Sequence, residues 1–226
     1  MSQPAARGPR ASLTRGAILR AAESLFAERG FDAARLEDVA LSVGMRRASL
    51  VYHFRDKQEL YDAVLADLLE ALLARVAAAL RSSGGLGVRV ERAVSAWVDF
   101  IGERPALARI VLREAAGATP ERPPAILRHL GGFHALAREV FDATRDDPLA
   151  RAAPIDPVHF ASAIAGATVF FVAAMPALMP GTGFDPLASG RLAAHREDVL
   201  RVARRLLGTS LRGRARHAEP NRGESP

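Results

Sequence analysis

The chain has no cysteine. That excludes a disulfide framework, thiolate metal sites, iron–sulfur chemistry and a cysteine nucleophile. It has one tryptophan and two tyrosines, and Lys57 is its only lysine, so 30 of the 31 basic residues are arginine. Among six histidines no pair stands at i,i+4 with a carboxylate between, as a metal-binding helix requires. There is no Gly-x-Ser-x-Gly elbow and no phosphate-binding glycine loop. His195-Arg-Glu197 and His217-Ala-Glu219 are isolated pairs, read as solvent-facing. No catalytic residue, metal or cofactor is expected, and the chain does not read as an enzyme. Met1 to Thr14 is polar and lacks an apolar signal core, which favours a cytoplasmic location.

Strand signals are equally scarce. What is there is 226 residues, 49% apolar, long enough to bury roughly 70% of the unfolded surface. The formal net charge is +6. Residues 1–15 hold three arginines and no acid, and residues 209–226 hold four arginines against two acids, so the part between is nearly neutral. Net charge is therefore weak evidence for a nucleic-acid partner. One stretch, 158–184, has no charged residue and is long enough to span a membrane. Its alanines, Ser162, Thr168, Pro176 and Pro180, with arginine-rich flanks, favour a helix buried in protein, with no membrane partner.

Apolar residues recur at three and four almost throughout, which predicts an all-α protein of about nine helices. Ile18, Ala21, Ala22, Leu25 and Phe26 form one stripe, stopped at Gly30. Short helices follow over 37–43 and 46–53. Asp56 with Glu59 three residues on makes a capping box that opens a long helix to Arg81. Further helices are expected over 88–103, 105–115, 125–144, 156–178 and 186–207. Residues 1–11 and 209–226 have the composition of disordered arms. The domain reading is an arm (1–11), a small amino-terminal helical unit (12–55), a larger helical bundle (56–208) and a basic tail (209–226).

Residues 36–54 carry the sharpest signal. Two helices crossing through a short turn need a small residue at their contact, which Ala40 supplies, and one at ease with positive φ, which Gly44 supplies. Val39, Val43, Met45, Leu50 and Phe54 anchor them. The second helix exposes Arg46, Arg47, Ser49, Tyr52 and His53. Helix-turn-helix units place the start of the second helix against base edges in the major groove. Arginine is the favoured bidentate partner of guanine. Arg46, Arg47 and Ser49 are thus expected at bases, and Arg35, Tyr52, His53 and Lys57 at the DNA backbone. Lys57 at a helix start opposes the dipole, which argues for an external anion there.

The run Ile18-Leu-x-Ala-Ala-x-x-Leu-Phe26, Gly30-Phe31, Val39-Ala40, Val43-Gly44, Ser49-Leu50 and His53-Phe54-x-x-Lys57-x-x-Leu60 resembles the TetR family of bacterial transcriptional regulators. The resemblance covers about residues 14–62. It implies a homodimeric repressor on double-stranded DNA, a small-molecule effector held by the carboxy-terminal bundle, and dimerisation through the last two long helices. Ala34 and Arg35 replace the family's Ser or Thr before the first motif helix, Arg46 replaces the Ser that opens the second, and Val51 replaces a Tyr. A second reading, a helical ligand-binding or interaction module that has lost DNA binding, rests on those departures. For the effector the candidates are Trp97, Phe100, Phe133, His134, Thr168, Phe171 and Met175, which suit a largely apolar compound. For the dimer they are Ala161, Ala165, Leu192, Val199, Val202 and Leu206.

Overall fold

The computed structural model describes residues 9–143 and 157–207, and among these it contains helices and no strand. The elements are α1 (Pro9–Ala33), α2 (Leu36–Ser42), α3 (Arg47–His53), α4 (Lys57–Leu80), α5 (Leu86–Glu103), α6 (Ala106–Ala116), a 3₁₀ turn (Ala125–His129), α7 (Gly131–Ala143), α8 (Pro157–Val169), α9 (Met175–Leu178) and α10 (Ser189–Leu206). The all-α reading is correct. Several details differ from it, among them the break of the helix expected over 156–178 after Val169. Residues 9–11, expected in a disordered arm, already belong to α1, and the helix expected over 125–144 is interrupted at Leu130 between the 3₁₀ turn and α7. The basic tail and residues 1–8 lie outside the described residues.

The chain divides into two compact units, residues 1–71 with 104–131, and residues 72–103 with 132–226. In the first, Gly30 breaks α1 at φ 76°, so the helical run ends where a residue without Cβ permits it. Phe26, Phe31 and Tyr61 cluster behind that break, with ring centroids 4.8 to 6.2 Å apart. Ile18, Leu50, Phe54, Leu60, Leu65 and Ile110 are fully buried. Ile110 comes from α6, which lies along α1. Arg104 donates to Asp67 at 2.9 Å and to the buried carboxylate of Glu23, and Arg113 donates to the carbonyls of Ala27 and Glu28 at 3.2 and 2.7 Å. Asp56 Oδ1 caps α4 by accepting the Glu59 N–H at 2.8 Å, and Glu59 Oε2 accepts the N–H of Arg55 at 2.8 Å.

In the second unit Val94, Val98, Ile164, Val199, Leu200 and Ala203 form one core cluster, joined by Val90, Trp97, Phe160 and Leu192. A smaller cluster gathers Ala77, Leu136 and Val140. Between α8 and α9 the chain makes a π turn, Phe170–Ala174, in which the Met175 N–H donates to Phe170 O. Pro176 explains it, because a proline two residues further on has no N–H for the ordinary ladder and crowds the preceding turn.

Candidate nucleic-acid interface and effector site

α2 and α3 are set at their angle by a Schellman turn. Met45 N–H donates to Ala40 O at 2.9 Å, Gly44 N–H donates to Leu41 O at 3.1 Å, and Gly44 takes φ 67°. Ala40 and Leu50 are buried where the two helices meet, and Phe54 closes α3 beneath the guanidinium of Arg15, 5.0 Å from the ring centroid. Arg29 pairs with Asp38 at 2.5 Å and ties α1 to α2. Of the four residues expected to be structural in the motif, Ala40, Leu50 and Phe54 are buried and Gly44 takes positive φ.

Around buried Leu50, α3 exposes Arg46, Arg47, Ser49 and Tyr52, the last 87% exposed with its ring edge against His53 at 5.6 Å. Arg46 is the N-cap, extended and without a side-chain cap. Arg35 is the exposed N-cap of α2, also without a capping bond. Arg47 Nε lies 2.8 Å from Glu37 Oε1, an ion pair across the turn that the sequence reading missed. Lys57 is placed differently from expectation. Its Nζ donates to the carbonyls of Phe31, Asp32 and Ala34 at 2.7, 3.0 and 3.1 Å, and lies 4.5 Å over the Phe31 ring. Its three hydrogens are spent on the chain just past the α1 break, so backbone carbonyl dipoles meet its charge where an external anion was expected.

Residues 18–64 match the family described as bacterial regulatory proteins, tetR family. This segment is a TetR-family domain. The transcriptional activator FasR of Mycolicibacterium smegmatis is 39% identical over 87 residues, 38% of this chain and 40% of FasR, so the chain matches about two-fifths of that curated relative's length. The fatty acid degradation regulator FadR of Bacillus halodurans superposes with a TM-score of 0.66 at 17% identity, covering 90% of this chain and 97% of FadR. The FadR of Bacillus subtilis, solved with stearoyl-CoA, does so with 0.62 at 15%, covering 83% and 96%. At such identities the likeness is one of fold. The relatives are regulators by name, and the TetR-family domain coincides with the helix-turn-helix just described.

Outside the TetR-family domain the expected effector residues separate. Phe100 is closed in the core under Arg75, whose guanidinium lies 5.2 Å from its ring. Phe133 is half-buried on α7, and the side chain of His134 lies outside the described residues. Trp97 joins the main cluster, and its buried Nε1–H has no acceptor among the described residues. Thr168 and Phe171 do come together, with His195, which the sequence had placed in solvent. The imidazole stacks on Phe171 at 4.0 Å and 2°, and its Nε2 is 3.4 Å from the Thr168 hydroxyl. Burial pushes the His195 imidazole below its ordinary pKa. His195 lies on the one buried face of α10, three residues after Leu192 and four before Val199, so its spacing carried the signal that its polarity concealed. Met175 is half-buried. Two cavities of about 420 Å³ each are lined by none of these residues.

The dimer candidates also divide. Val199, 3% exposed, and Leu192 belong to the intrachain cluster, so neither is on a free surface. Ala161, Val202 and Leu206 are exposed and Ala165 is half-buried. The apolar helix was expected to be buried. Residues His159–Leu178 have a mean hydropathy of 1.8 and only 22% of that window is buried, so one apolar side stays open on the single chain. This is the one helix among the described residues long and apolar enough to cross a membrane. Those residues hold no group of three or more metal-ligating side chains.

Proposed function

We propose that the protein is a sequence-specific DNA-binding transcriptional regulator of the cytoplasm. It acts as a homodimer on a palindromic operator and represses by occupancy until a small, largely apolar effector releases it. The observation that carries this reading is α3: four exposed polar or basic side chains on a helix whose position is fixed by buried Leu50, Phe54 and the Gly44 turn. Arg46, Arg47 and Ser49 face bases, and Arg35, Tyr52 and His53 face the backbone. Residues 12–55 read DNA and residues 56–208 hold the effector and the second copy. Ala161, Ala165, Val202 and Leu206 meet that copy, which covers the open apolar side of α8.

The effector enters near Trp97, Thr168, Phe171 and Met175, and satisfies the unpartnered indole N–H. A fatty acyl thioester is the first compound class to try, given the B. subtilis FadR complex with stearoyl-CoA. A second reading, activation from the same operator, is favoured by the name of FasR. A reporter carrying the operator within and upstream of a promoter separates the two signs.

The decisive experiment is selection from random-sequence DNA with purified protein at two salt concentrations. The expected result is an enriched palindrome with half-sites one helical turn, or a multiple of it, apart. Binding that is salt-sensitive but enriches nothing would mean that the arginines supply only electrostatics, and would leave a helical ligand-binding module that has lost operator recognition.

A further inference from the structure

Arg47 is the first residue of α3, whose first turn contains no acid. A cation at a helix N-terminus opposes the dipole. Its counter-charge comes from the preceding helix, where Glu37 sits in the first turn of α2 and is favoured there for the same reason. The Schellman turn at Gly44 fixes the distance between the two positions. The side chains are 62% and 55% exposed, so the pair adds little to stability.

What the pair does is restrict a side chain. The carboxylate lies 2.8 Å from Nε as an ion pair without a hydrogen bond, and no nitrogen of the guanidinium donates a hydrogen bond to another described residue. The terminal Nη1 and Nη2 form the planar edge that donates bidentately to guanine O6 and N7. A long arginine side chain otherwise samples many rotamers and loses them on docking.

We propose that Glu37 is a positioning residue for sequence readout: its carboxylate, paired with Arg47 on the Nε side, holds the side chain by charge and leaves the terminal edge of the guanidinium for a guanine. This rests on the DNA-binding reading above. The charge has a cost on the DNA-binding reading, because a carboxylate in the first turn of α2 repels phosphates that approach α3. Glu37 therefore weakens binding to DNA of any sequence while sharpening the choice of base. Those two effects have opposite signs when it is removed.

The test compares wild type with Glu37→Ala, Glu37→Gln and Arg47→Ala by selection from random DNA, then by affinity for the selected operator, a single-base variant at the Arg47-dependent position, and unrelated duplex. Glu37→Ala is expected to lower discrimination at that base pair about tenfold, within what one bidentate contact supplies, while binding unrelated duplex more tightly. Glu37→Gln, which retains reach and an acceptor oxygen, is expected to keep more of the discrimination than Glu37→Ala. In the Arg47→Ala background, Glu37→Ala should change no base preference. Wild-type discrimination in Glu37→Ala would overturn the proposal, and so would an equal loss with and without Arg47, which would make Glu37 itself the reader. If the wild type selects no sequence, the DNA-binding reading fails first and the proposal with it. Both residues are exposed, and unchanged thermal unfolding checks that the variants fold.

Discussion

The ammonium of Lys57 shows how a single residue changes role between sequence and structure. Its position at the start of α4 and its charge suggested phosphate, yet it collects the carbonyls of Phe31, Asp32 and Ala34. These groups follow the break at Gly30, where the α1 ladder no longer satisfies them. Lys57→Met keeps the methylene stem and leaves three carbonyls without that donor. It should cost about 1.5–3 kcal/mol in equilibrium denaturation, the range for hydrogen bonds to a charged group. The salt dependence of DNA affinity should stay the same, whereas losing a phosphate contact would reduce the slope by about one. Arg46, Arg47, Ser49 and Leu50 were legible because helical spacing alone divides one face from the other over so short a helix. Glu37 was not, because its partner is ten residues away across a turn.

At the scale of elements, α6 joins the amino-terminal unit through ionic and backbone ties. Arg104 is 23% exposed and Glu23 9%, and Asp67 completes the group. Removing one member of a buried ion pair leaves the other uncompensated. Arg104→Ala should therefore destabilise the protein by about 3–5 kcal/mol, read as a shift in the urea midpoint. In α10 the relevant residue is His195. Burial lowers its pKa from 6.5, so the unfolded chain takes up this proton more readily than the folded one. Stability should fall as pH drops through about 6.5, the ordinary histidine value. His195→Phe, which retains an aromatic ring against Phe171, should remove that part of the fall.

The carboxylates act in a separate window. Backbone hydrogen bonding holds Asp56 below its ordinary pKa, and Arg75 and Arg81 do so for Glu103 and Glu139. Their contribution is present above the usual carboxylate range and is lost only as pH falls below it, so the two windows are distinguishable in one titration of stability.

At the scale of the whole molecule, the open apolar side of α8 and the exposed Val202 of α10 call for a cover. Val202, 45% exposed, should not affect the fold of a single chain when made polar. Val202→Glu should convert a dimer to a monomer in light scattering and weaken operator binding while leaving helix content unchanged. A wild-type protein that is already a 24.2 kDa monomer would remove the dimer from the proposed function. A monomer reads few base pairs, so the same variant should lose preference for paired half-sites over one half-site.

The sequence by itself determined the helical class, the helix-turn-helix and its exposed face, and the stops at Gly30 and Gly44. Each follows from local periods and from backbone angles that only glycine accepts easily. Tertiary structure decided where the chain returns. It brought 104–131 back beside α1, turned Val199 and Leu192 inward, and put His195 against Phe171 and Thr168. Periodicity marks which side of a helix is apolar but not which neighbour covers it.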